Sequence, residues 1–64
     1  MKNYTIIAID TLLGTTKNYN YMDDMMASAK FYDVVKSNLW NKVMLVDNRT
    51  GEVLEESDEI PNLF

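Results

Sequence analysis

The run KVMLVDNRTGEVLEE, residues 42–56, constrains the fold more than any other part of this chain. An apolar, β-branched segment gives way to Asp47-Asn48-Arg49-Thr50-Gly51, and a shorter second segment ends in acids. Two β-prone runs joined by such a turn read as a hairpin with a four- or five-residue loop, Gly51 taking the position that needs positive φ. The hairpin fixes one edge of a small sheet and aims a cluster of acids at solvent. It brings no catalytic residue.

The rest of the chain supplies partners for that hairpin. Residues 4–10, YTIIAID, are too short and too β-branched for a helix and read as a strand. Tyr4, Ile6 and Ala8 point one way and Thr5, Ile7 and Ile9 the other, so both faces are apolar and the strand belongs at the centre of a sheet. Residues 11–14 read as a turn. Residues 15–21, TTKNYNY, read as a second, edge strand, polar on one face.

Residues 22–39 form the one helical segment. Asp23 and Asp24 suit its N-terminal cap and first turn, Lys36 its last turn, and Asn38 a left-handed exit. Met25, Ala29, Tyr32, Val35 or Lys36, and Leu39 recur at helical spacing and form the expected core stripe. Ala27, Phe31 and Val34 fall on a second apolar stripe, far around the helix from the first. So short a chain cannot bury both in its own sheet, so the second is expected either to meet another molecule or to lie under Ile60, Leu63 and Phe64. Trp40, at the helix-to-strand junction, reads as a plug for the core or as a partner's anchor.

The expected architecture is α+β: a small antiparallel sheet packed on one helix, in the order β-β-α-β-β with sheet order 2-1-3-4. If residues 11–21 were a loop, it would be β-α-β-β. The second sheet face would stay partly open, another candidate for self-association. Residues 1–64 make a single domain, with 57–64 as a C-terminal tail broken by Pro61.

Composition sets the limits on chemistry. There is no cysteine and no histidine, which removes disulfides, thiolate metal sites and the usual catalytic base. Asp23-Asp24 resembles a paired carboxylate, but neighbours on a helix diverge by about 100° and do not share a site. Residues 47–52 lack the ligand spacing of a calcium loop, and Gly14-Thr15-Thr16-Lys17 lacks the first glycine of a phosphate loop. The chain therefore reads as a non-enzyme with no cofactor and no metal. No apolar run reaches the roughly 20 residues of a membrane span, and the N-terminus does not read as a signal peptide. A cytoplasmic location is the expectation.

The net charge of −4 is unevenly placed. Residues 1–49 carry six bases against five acids, whereas residues 50–64 carry Glu52, Glu55, Glu56, Asp58 and Glu59 and no base. Direct nucleic-acid binding needs a basic face, and none is visible. The acids read either as a solubilising terminus or as a surface offered to a basic partner. Met22, Met25 and Met26 read chiefly as core filler, although methionine-rich faces also adapt to partners.

Over residues 4–56 the pattern resembles small acidic orphan proteins of bacterial phages and mobile elements. Those often end with a D-x-x-T-G-E-V turn and an acidic tail, matched here by Asp47, Thr50, Gly51, Glu52 and Val53. The resemblance carries over no functional residue. It implies a class of inhibitors of host defence or DNA-processing enzymes, some of which occupy nucleic-acid grooves with carboxylates. The small uracil-DNA glycosylase inhibitors also use a compact sheet with one helix, although no residues match. The expected function is a small protein-binding module, an inhibitor of a host protein, or alternatively a self-associating homodimer. Its partner-binding candidates are Ala27, Phe31, Val34, Trp40, Glu52, Glu55, Glu56, Asp58 and Glu59.

Overall fold

The computed structural model describes residues 2–58. Its elements are β1 (Tyr4–Asp10), β2 (Thr15–Tyr21), α1 (Asp24–Lys36), β3 (Lys42–Asp47) and β4 (Glu52–Asp58). The strands pair antiparallel in the order β2-β1-β3-β4, and α1 packs on one face. Element order and sheet order both match the sequence expectation, and residues 15–21 are a strand rather than a loop.

The alternation in β1 positions the core. Tyr4, Ile6 and Ala8 are buried, and the register sets Ile6 beside Leu45 and Ala8 beside Val43. Thr5, Ile7 and Ile9 lie on the opposite face, which no helix among the described residues covers and where they are half-buried. Among the described residues the buried core is Tyr4, Ile6, Ala8, Ala27, Phe31, Val34, Val43 and Leu45, with Tyr19, Tyr21, Val35 and Trp40 packed around them. Trp40 thus closes the margin of this core, half-buried.

Helix α1 starts where the chain first offers a side chain to its free N–H groups. Asp23 is extended and its carboxylate accepts from the Met26 amide at 3.3 Å. Met22 therefore lies before the cap, outside the helix. At the other end the Ser37 hydroxyl donates to the Val34 carbonyl at 2.6 Å, and Asn38 turns left-handed at φ 58°. That exit ends the helix at Lys36 and leaves Leu39 in the connection, so α1 is shorter at both ends than the 22–39 expected.

The phase of the helix is the main correction. Ala27, Phe31 and Val34, expected at an interface, are 0%, 2% and 5% exposed and form the inner face. Met25, Tyr32 and Leu39, expected in the core, are 77%, 50% and 70% exposed. The inner stripe is wholly apolar, and small Ala27 lets the helix backbone approach β1 and β3 closely. The outer stripe includes Tyr32 and Lys36, whose polar ends lose hydration if buried without partners.

The second hairpin closes through Asn48-Arg49-Thr50-Gly51. The Gly51 amide donates to the Asp47 carbonyl at 2.7 Å, and Gly51 adopts φ 78°, as the turn requires. Strand β4 continues through Ser57 and Asp58, which pair with Val43 and Lys42, so the strand takes two residues assigned to the tail. The register shifts between Leu45 and Val46, leaving Leu54 as an extra residue in β4, a β-bulge.

Candidate docking surface

Since the inner face of α1 is used up in the core, its outer face becomes the surface of interest. Met25 and Tyr32 project from it, with Ala29 and Lys36 between and beyond them, and Met22 and Met26 extend the apolar area at the N-terminal end. All three methionines are more than half exposed. Methionine is unbranched and polarisable, so such a face can mould to several shapes.

Tyr32 joins this face to β4. Its hydroxyl donates to both Glu55 carboxylate oxygens at 3.1 Å, and its ring meets Phe31 edge-on at 5.2 Å between centroids. The hydrogen bond to Glu55, reinforced by the carboxylate's charge, holds the phenol proton and raises its pKa above the ordinary tyrosine value. The opposite flank of the helix is tied to β2, where Lys30 lies 4.7 Å above the Tyr19 ring and 3.7 Å from Asp33.

The acids do not form one surface. Glu55 pairs with Leu45 and Glu52 with Asp47, which puts both on the helix side of β4. Glu56 pairs with Met44 on the open side, where it meets Lys42 at 2.8 Å. The expectation of a single acidic patch across Glu52, Glu55 and Glu56 therefore fails, because successive strand residues face opposite ways. Asp58 ends β4, and Glu59 lies outside the described residues, as does the expected return of Ile60, Leu63 and Phe64.

The hairpin loop is occupied by its own contacts. Arg49 grips both oxygens of Asp47 at 3.1 Å and donates to the Tyr4 hydroxyl at 2.9 Å. Its guanidinium holds the Asp47 carboxyl below the usual range, chiefly through the side-chain hydrogen bond. Asp47 is thus committed to the fold rather than offered to a cation. Among the described residues no group of three or more acids is placed to hold a metal.

A second apolar area sits at the far end of the sheet, where Leu12 and Leu13 form the tip of the β1–β2 turn and Leu39 follows α1. Thr11 and Asn41 join these segments, the Thr11 amide and hydroxyl both donating to the Asn41 side-chain oxygen, at 2.7 and 2.9 Å. The helix face has Glu55 bonded to it through Tyr32, whereas the Asp10 carboxylate at the leucine tip accepts from the Leu12 and Leu13 amides. Sequence reasoning found the two stripes but exchanged them; the polar ends of Tyr32 and Lys36 were the signal for the right choice.

No helix among the described residues is long and apolar enough to cross a membrane. Comparison with protein-family models, curated proteins and solved structures finds no match, so no family is assigned.

Proposed function

We propose that this chain is a small protein-binding module that docks through the outer face of α1, with Met22, Met25, Met26 and Tyr32 as its apolar contacts. The observation that carries this reading is the exposure of that face in a helix whose opposite face already supplies the core. Glu55 and Glu52 flank it along β4, so the fitting partner presents an apolar patch bordered by lysine or arginine. The inhibitor role implied by the resemblance is one use of such a module: occupying a basic groove with a methionine-rich ridge. A net charge of −4 would speed the encounter at low ionic strength.

The test is site-specific photo-crosslinking in host cells, with the reactive side chain at position 25 or, for comparison, at position 44 on the open sheet face. A defined heterologous adduct from position 25, lost when Glu52 and Glu55 are both changed to lysine, is the expected result. Adducts from position 44 alone would overturn the choice of surface. The purified partner should then bind the wild type and fail to bind Met25→Glu.

A further inference from the structure

The two edges of the sheet are built differently. Strand β4 carries Glu52, Glu55, Glu56 and Asp58 and is bent by the bulge at Leu54. Charges and bulges are the ordinary means by which edge strands resist adding another strand. Strand β2 has no bulge and a single charge, Lys17. Its seven residues, TTKNYNY, pair with β1 without a register shift and include no proline. Among the described residues no strand pairs with its outer side, where alternate residues leave N–H and C=O groups without a strand partner.

We infer that β2 is a self-pairing edge: two copies of this chain join antiparallel through β2, with the two-fold axis at Asn18. About that axis the sequence complements itself. Thr15 faces Tyr21 of the partner, Thr16 faces Asn20, Lys17 faces Tyr19, and Asn18 faces Asn18. Each match keeps helix-side residues with helix-side residues, because Lys17, Tyr19 and Tyr21 register with Ala8, Ile6 and Tyr4 of the core face. The one cation meets an aromatic ring, a contact it already makes within the chain at 5.4 Å, and does not meet its own copy. On the other face the Asn20 side-chain oxygen already accepts from the Thr5 hydroxyl at 2.8 Å.

Room for the helices follows from the layers. The buried strand residues under α1 all come from β1 and β3, while Tyr19 and Tyr21 of β2 pack only at the margin of that core. In the joined sheet the two helices stand about four strand spacings apart, roughly 19 Å. That is about twice the separation of packed helices, so they do not collide. The product is a continuous eight-stranded sheet, twice the four strands of one chain, bounded on both sides by the charged β4 edges. Such a dimer is closed, because among the described residues the unprotected β2 edge is consumed.

Sedimentation velocity over a concentration series tests this with four samples: wild type, Asn18→Glu, Asn18→Lys, and an equimolar mixture of the two variants. Asn18 is exposed, so neither substitution disturbs the monomer's core. The wild type is expected to approach twice its 7.4 kDa mass as concentration rises. Each variant alone should dimerise at least about tenfold more weakly, since like charges then face each other across the axis. The mixture should recover the dimer, because glutamate then faces lysine. A wild type that stays monomeric would overturn the proposal, as would variants that dimerise normally or a mixture that recovers nothing. Species that grow beyond the dimer would overturn it too.

Discussion

The two faces of α1 have nearly the same apolar content in sequence and opposite fates in the fold. Ala27, Phe31 and Val34 are sealed against β1 and β3, whereas Met25, Ala29 and Tyr32 face solvent. What separates them is the chemistry at the tips of the side chains. The inner residues end in carbon; the outer stripe ends in a phenol, an ammonium group and flexible thioethers that lose little by staying wet. In a sheet with one helix, only one stripe can be buried, and the one with the smaller desolvation cost takes the place. The stripe left outside is then a candidate surface and not a fault in the pattern.

That contrast is tested most severely by Phe31→Ala. Truncation of a buried phenylalanine costs about 3–5 kcal/mol, while a core of this size supplies only about 3–5 kcal/mol of net stability. The variant should be largely unfolded at 25 °C by circular dichroism, and a cooperative melt near the wild-type midpoint would contradict the burial of the inner face. Asp23→Ala removes the group that starts the helix and so weakens both faces together. It should lower stability by about 1 kcal/mol, seen in the urea midpoint without a change in slope. Met25→Glu should alter stability by no more than about 0.5 kcal/mol yet abolish partner binding, which separates the outer face from the inner in one experiment.

The smallest effect belongs to Tyr32→Phe, a small loss of stability at neutral pH whose signature is a changed slope at alkaline pH. The tyrosine pKa is raised in the fold, so its contribution is complete below the unfolded value, near pH 10, and disappears as pH rises through the folded value. The phenylalanine variant should lose that part of the alkaline decline and match the wild type's slope at pH 6–8. If the two alkaline limbs superimpose, the Tyr32–Glu55 contact has no share in the stability.

The architecture was readable from local signals that agree with one another. Alternation in β1, the turn chemistry of residues 47–51, the Asp23 cap and the left-handed Asn38 all act over a few residues, where the sequence carries the physics directly. The helix phase was not readable by periodicity, because Ala27, Phe31 and Val34 recur as regularly as Met25, Ala29 and Tyr32. The bulge at Leu54 leaves no mark in composition; it appears only when β4 is laid against β3. It also decides which acids of β4 stand together, so the grouping of Glu52 with Glu55 on one face could be seen only in the fold. Likewise the reach of Arg49 to Tyr4 joins residues from opposite ends of the chain, a pairing that no local pattern announces.

The sheet order also governs the sequence of events during synthesis. Strand β1 is made well before its neighbour β3, with β2 and α1 in between. At about 5–20 residues per second, the nascent β1–β2 hairpin waits for seconds with Ile6 and Ala8 uncovered. Translation thus delivers a half-sheet whose open side calls for β3, and the core closes only once the second hairpin has been made.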